Sequence, residues 1–278
     1  MTKVIISIII PCYNQGIYIE EALQSILQCE DKSIYEIIIV NDGSTDEITL
    51  NKLKEISAKG YTMINQANKG LGAARNAGIK AACGKYILPL DCDNKIRPEY
   101  IYEGIKLLDK DPSLDVVYSD AEYFGEKTGT WESGEFNLQR LMIENYIDAC
   151  AIFRKSTWER IGGYDENMPV MGYEDWDLWL RIAFQNGKFA YINRMLFYYR
   201  YSSKSMIHTV QKNKLSIIFE YMEKKHSLYL NRLYLNRLIL FKASKNKGLV
   251  FYLFMKSCFP RISNLLRKAG IMKSKDIL

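Results

Sequence analysis

Leu88-Pro89-Leu90-Asp91-Cys92-Asp93 is the stretch whose reading decides the fold. It closes an apolar run, Tyr86-Ile87-Leu88-Pro89-Leu90, with two carboxylates separated by a single residue. Pro98 follows, and Tyr100, Ile101, Gly104, Ile105 and Leu108 then recur at helical spacing. The pattern predicts a strand, an acidic loop and a helix over 98–109. In an open α/β sheet, ligands bind outside the carboxyl ends of the strands. Two acids at such an end form an oxygen-rich site that can hold Mg(II) or Mn(II), and the ion in turn neutralises a diphosphate. Two solvated acids capping the following helix would give the same short pattern, so the neighbouring segments have to decide.

Upstream, Val4–Ile10 reads as a strand buried on both faces, followed by Pro11-Cys12-Tyr13-Asn14 and a helix with Ile19, Ala22, Leu23, Ile26 and Leu27 on one side. The short apolar run lacks a small-residue cleavage site, which sets it apart from a signal peptide. A second strand, Ile37–Val40, ends in Asn41-Asp42-Gly43-Ser44-Thr45-Asp46, whose small polar residues suit a tight turn with exposed N–H groups. Asp42 there either receives a base or ribose or bonds its own turn. Tyr61–Ile64 is a weaker third strand. Asn68-Lys69-Gly70-Leu71-Gly72-Ala73-Ala74-Arg75-Asn76 is a Gly-rich loop entering a helix, where Arg75 meets phosphate at the positive dipole end or is solvated. The loop is neither a P-loop nor the dinucleotide fingerprint. The alternating order predicts an α/β fold with a mostly parallel sheet. Asn14, Asp42, Arg75, Asp91 and Asp93 would gather on one rim as a nucleotide site.

Composition is that of a globular protein, with 48% apolar and 25% charged residues in 278. No run reaches the ~18 apolar residues of a membrane span. The six cysteines form no Cys-x-x-Cys pair and suit reduced thiols in the cytosol. The net charge of +6 is uneven: residues 211–278 carry 15 Lys and Arg against 3 Asp and Glu. This basic tail reads as helical at 211–243. Its apolar Gly248–Met255 segment suits either an anionic membrane surface or a cap on the preceding domain.

Downstream, Asp115–Ser119 and Ala149–Phe153 read as strands, with a hairpin or flexible loop over 121–136 and a turn at Ile161–Glu166. Met171-Gly172-Tyr173-Glu174-Asp175-Trp176-Asp177-Leu178-Trp179 opens a helix with Trp176 and Trp179 toward the core. Glu174 and Asp175 at its start either complement the helix dipole or present a general base to the cleft.

These pieces, in this order over roughly residues 4–205, resemble the inverting family-two glycosyltransferases of the GT-A fold. The matching segments include Pro11–Asn14, Val40–Asp46, Asn68–Gly70 with Ala74–Gly78, Leu90–Asp93, Gly162–Glu166 and Glu174–Trp179. The resemblance implies a GT-A-type fold over 1–210, with a nucleotide-sugar-binding half at 1–120 and an acceptor half at 121–210. A basic helical region follows at 211–278. It implies a UDP-sugar donor and Mn(II) or Mg(II) as cofactor. Pro11 and Tyr13 would line the base, Asp42 would meet uracil or ribose, and Asp91 the ribose. Asn14, Gly43, Arg75 and Cys92 would complete the nucleotide-sugar contacts. Asp93 would hold the metal and Asp175 would be the base, beside Glu174.

Two departures from the family pattern stand out. Where many relatives carry Tyr-Arg-x-His, this chain has Tyr199-Arg200-Tyr201-Ser202, and His208 is the nearest substitute metal ligand. The Gln-x-x-Arg-Trp motif of processive synthases is absent, as are their membrane helices. The implied reaction is therefore metal-dependent, inverting transfer of one sugar to a hydroxyl of a glycan, lipid-linked, in surface polysaccharide synthesis. The implied place is the cytoplasm or the inner face of the plasma membrane, and nucleic acid is not a partner. The alternatives are a sugar-nucleotide pyrophosphorylase, which would want a Gly-x-Gly-Thr-Arg-like signature after the first strand, and an inactive nucleotide-sugar-binding module.

Overall fold

The computed structural model describes residues 4–203 and 206–230, with the side chains of 206–215 outside the description. The described residues fall into two compact units, Met1–Asn137 with Asn145–Ile218, and Leu138–Glu144 with the chain from Phe219 on. The boundary expected after residue 210 falls inside a helix, Met206–Lys225. Most of the basic tail, including Gly248–Met255, lies outside the described residues.

The first unit is built on one sheet. Strands β1 (Ile6–Cys12), β2 (Tyr35–Asp42), β3 (Thr62–Gln66) and β4 (Tyr86–Pro89) pair in parallel in the order β3-β2-β1-β4. Helices α1 (Ile19–Leu27), α2 (Glu47–Ala58) and α3 (Leu71–Ala81) alternate with them. β1 is buried along its whole length, because both sheet faces are covered. Ile8 and Ile10 join the core with Ile26 of α1, whereas Ile9 and Val40 meet α3. Gly78 permits that approach, since a Cβ there would stand 2.4 Å from Ile9 Cγ2.

Beyond β4 the sheet becomes mixed. β5 (Lys95–Ile96), β6 (Leu114–Gly125), β7 (Gly129–Trp131), β8 (Ile152–Arg154) and β9 (Lys188–Tyr201) complete it. The order continues β4-β8-β6-β9-β5, with β7 paired to β6. β8 runs antiparallel to both neighbours, and β6 with β9 forms the longest parallel ladder. The helices here are α4 (Pro98–Lys110), α6 (Lys155–Ile161) and α7 (Glu174–Phe184), while α5 (Leu138–Leu141) belongs to the second unit and α8 is Met206–Lys225.

Most expected elements are present, with shifted edges. The third strand is Thr62–Gln66, and the expected 149–153 strand shortens to β8. Residues 121–136 begin with the hairpin of β6 and β7. The fourteen-residue β9 has no counterpart in the sequence reading, because its exposed face and its register shifts against β6 around Asp120 blur the alternation. α4 begins with Pro98 after an extended Arg97 and has no side-chain cap, so Asp91 and Asp93 do not cap it.

Candidate active site

Parallel pairing brings the carboxyl ends of β1, β2 and β4 to one edge. Leu90 N–H donates to Ile9 O at 2.9 Å, so the Asp91–Asp93 loop leaves the sheet beside Cys12. A cleft of about 280 Å³ opens there. Pro11, Tyr13, Asp42, Arg75, Asp91, Cys92, Asp93, Glu174 and Asp175 all line it, although they lie up to 164 positions apart in sequence. Tyr13 lines the cleft and is 46% exposed.

Asp42 is buried and anchors the Gly-rich loop. Its carboxylate accepts from Gln66 Nε2 (2.7 Å), Lys69 N (2.9 Å) and Gly70 N (2.9 Å). It thus bonds the neighbouring loop, not its own turn. Gly43, at φ +72°, lets this turn pass against Asn68, whose N a Cβ would approach to 2.5 Å. Gly43 and Asn14 do not reach the cavity wall. Asn14 Oδ1 accepts from Thr45 N (2.7 Å) and Asp46 N (3.2 Å), so its side chain fastens the turn after β2 to the end of β1.

Arg75 lines the cleft but is not solvated. It is 2% exposed and Nη2 donates to Asp91 Oδ1 at 2.6 Å. Burial works against its charge, but Asp91, Tyr164, Glu174 and Asp175 together outweigh that and hold its pKa above the ordinary value. The adjacent Asn76 is structural: it bonds Tyr164 N and O, Glu166 and Trp158, and so pins the Gly162–Glu166 turn to α3.

Asp93 is half-buried, and burial with the charge of Asp91 pushes its carboxyl up to about 7, against a weaker pull from Arg200. Arg200 donates to the Asp93 backbone oxygen (3.0 Å) and to Glu21 (2.7 Å). Among the described residues no cation pairs with the Asp93 carboxylate, and no group of three His, Cys, Asp or Glu could enclose a metal. One buried carboxylate opposed by a like charge fits a divalent cation that takes its remaining ligands from diphosphate and water. Ser202, where relatives carry His, bonds Glu126 (3.2 Å), and the side chain of His208 lies outside the described residues.

Across the cleft, α7 starts at Glu174 without a side-chain N-cap. Glu174 accepts from Gly172 N (2.8 Å), and burial raises its pKa. Asp175 accepts from Trp176 N (2.8 Å) and from the amide of Asn145 on both oxygens (3.1 and 3.2 Å). Burial raises its carboxyl to about 6, while Arg75 and the Asn145 hydrogen bond pull it down. Asp177 points away, as the ~200° between positions two apart in a helix requires, and pairs with Arg181 at 2.8 Å.

Asp148, Tyr199 and Arg200 also line the cleft and had no role in the sequence reading. Burial and the charges of Asp91 and Asp175 raise Asp148 to about 8. The signal for Asp148 was thin, a lone acid before Ala149-Cys150-Ala151. Its placement depends on Trp179, whose Nε1 donates to Ile147 O at 3.0 Å.

The mixed α/β sheet, with this cleft at the ends of its parallel strands, is a GT-A-like fold. The fold matches the crystal structure of S. aureus TarS 1-349 in complex with UDP-GlcNAc (TM-score 0.68, 19% identity, 91% of this chain and 73% of that one). It also matches mannosyltransferase PcManGT from Pyrobaculum calidifontis in complex with GDP-Man and Mn2+ (TM-score 0.57, 17% identity, 96% and 79%). The family model "Glycosyl transferase family 2" matches residues 7–169, and "N-terminal domain of galactosyltransferase" matches 137–208. An uncharacterized glycosyltransferase of Rickettsia prowazekii is 30% identical over 98% of this chain and 83% of its own length. Chondroitin synthase of Escherichia coli is 31% identical over 69% of this chain but only 28% of its own length. The chain belongs to glycosyl transferase family 2 and is a glycosyltransferase.

Proposed function

We propose that the protein transfers a single sugar from a UDP-sugar to a hydroxyl of a glycan acceptor, with inversion at the anomeric carbon. The observation that carries this reading is the meeting of Asp91 and Asp93 with Asp175 in one cleft, from opposite sides. Tyr13 would cover the base beside Pro11, while Asp42 and Asp91 would meet uracil and ribose. The turn at Gly43 and the clasp at Asn14 would keep that wall in shape, and Cys92 would floor it. Asp93 would hold Mn(II) or Mg(II), with His208 a second candidate ligand. The ion, when bound, would neutralise charge on the UDP leaving group.

Asp175, mostly ionised at neutral pH, would accept the proton of the attacking acceptor hydroxyl. The start of α7 favours that negative charge, and Arg75 behind it keeps the acid from holding its proton too tightly. Glu174, raised by burial, would orient acceptor hydroxyls beside it. The likeness to chondroitin synthase supports a polymer acceptor, and the basic tail supports a lipid-linked one at an anionic membrane surface. No helix among the described residues is long and apolar enough to cross a membrane.

Incubation with a panel of UDP-sugars and Mn(II) tests the reading directly. Slow release of UDP from one donor, accelerated by its acceptor, is the expected result. No binding of UDP with or without Mn(II) would overturn it.

A further inference from the structure

Asn145 is not on the cavity wall, yet its amide is the side-chain partner of Asp175. The nitrogen stands 3.1 Å from one oxygen of that carboxylate and 3.2 Å from the other. An ionised carboxylate only accepts hydrogen bonds, so Nδ2 must face it and Oδ1 must face away. That Oδ1 is buried and has no hydrogen-bond partner. A buried, unsatisfied carbonyl destabilises the fold, and an apolar side chain of similar size would not carry this cost. An asparagine here is therefore poorly explained by stability. The residues that follow it are anchored: the Tyr146 hydroxyl accepts from Asn137 N at 2.8 Å, Ile147 O accepts from Trp179 at 3.0 Å, and Asp148 accepts from Cys150 N at 2.8 Å.

We propose that Asn145 is a positioning residue for Asp175, holding both carboxylate oxygens in one orientation and favouring the ionised form. The inference rests on the proposed role of Asp175 as base. A carboxylate held through both oxygens cannot rotate away from the attacking hydroxyl, and a donor to the ionised form keeps the base unprotonated at lower pH. Other charged or titratable groups also face Asp175. They are Arg75 from α3, Glu174 beside it on α7, Asp148 from the 145–150 segment, Tyr164 from the turn before α7 and Tyr199 from β9. All of these stay in place when only residue 145 changes.

The test is Asn145→Leu, which keeps the size and removes the donor, with Asn145→Ala as a guard against poor packing. UDP release is followed against pH with Mn(II), using whichever of UDP-GlcNAc, UDP-glucose and UDP-galactose the unaltered protein hydrolyses fastest. The acidic limb of kcat should move to higher pH by about one unit, with KM for the donor changed by no more than about twofold. The melting temperature above neutral pH should fall by no more than a few degrees, because the raised Asp175 carboxyl lowers stability there while loss of the orphaned carbonyl offsets it. An unmoved acidic limb in both variants, or a lowered melting temperature with an unmoved limb, would overturn the inference. Asp175→Asn in the same assay separates the two levels. If that variant keeps normal turnover, the role of Asp175 fails; if it is inactive while both Asn145 variants behave normally, only the role of Asn145 fails.

Discussion

Replacing Asp175 with Asn should make the protein more stable and nearly inactive at once. Its carboxyl is raised from 3.8 to about 6, chiefly by burial. The folded chain therefore holds this proton more tightly than the unfolded chain does. At acid pH both states carry it and nothing is lost. As pH rises from 3.8 to about 6 the unfolded state releases the proton first, so stability falls, and above that range the loss is constant. At about 1.4 kcal/mol per pH unit, the difference corresponds to about 3 kcal/mol at neutral pH. Asn carries no charge and can still accept from Trp176 N, and a flip of the Asn145 amide would let the orphaned oxygen accept from the new amide. We expect Asp175→Asn to raise the melting temperature at pH 8 by roughly 5–10 °C, and the gain to shrink as pH is lowered toward 4. General bases contribute ~10²–10⁴ in rate, so UDP release should fall by at least roughly the lower figure while UDP affinity stays near normal. Thermal melts across pH and turnover on one preparation give both numbers. A variant that melts lower than the parent at pH 8 would refute the burial argument, and near-normal turnover would move the base to Glu174.

Asp93→Asn should leave UDP affinity unresponsive to Mn(II) by calorimetry while the melting temperature at pH 8 rises, since burial and Asp91 raise its carboxyl to about 7 and no ion pair is lost among the described residues. Tyr13→Ala should weaken UDP binding by roughly 1–3 kcal/mol if the exposed ring stacks on the base, with no effect on the melt. Arg75→Met should destabilise by about 3–5 kcal/mol, because it strands Asp91 beside Asp148 in a buried cluster, and chemical denaturation reads this. The full chain should sediment with anionic but not neutral vesicles, and less so at high salt, if the excess of 15 basic over 3 acidic residues in 211–278 meets lipid.

β1, β2 and β4 were legible because each carries a continuous apolar run followed by polar residues, and burial on both faces leaves that mark in sequence, whereas β3 is half exposed and fainter. Asp91, Asp93, Asp42 and Arg75 could be placed on one rim because strand ends in a parallel sheet share an edge. What could not be read was how each side chain is engaged there. That Asp42 grips the Lys69–Gly70 backbone, that Arg75 lies beneath Asp91, and that Asn14 clasps the Thr45–Asp46 turn are all contacts across 16 to 32 positions. The mixed half was harder. β8 is three residues long, β9 slips in register against β6, and Asn145 and Asp148 sit in a segment without regular structure. Trp179, read correctly as a core residue, ties that segment to α7 through Ile147 O, and Asp175 ties it through Asn145.

The charges around the cleft set the order in which its ligands can enter. Asp42, Asp91, Asp93, Asp148, Glu174 and Asp175 face it, against Arg75 and Arg200. Arg75 already pairs with Asp91, and Arg200 with Glu21. Burial pushes Asp93, Asp148 and Asp175 toward the protonated form, and the charge of Asp91 adds to this at Asp93 and Asp148. A diphosphate adds further negative charge, so on the proposed reading it should bind poorly alone. A divalent cation beside Asp93 would reverse the local field and favour the diphosphate, and the diphosphate would supply ligands that a single carboxylate cannot. Each would then strengthen the binding of the other by the same factor, as linkage requires. Separate titrations of UDP with and without Mn(II), and of Mn(II) with and without UDP, should return equal coupling. Equal UDP affinity in both conditions would mean that the acids of this cleft recognise sugar hydroxyls and not a metal diphosphate.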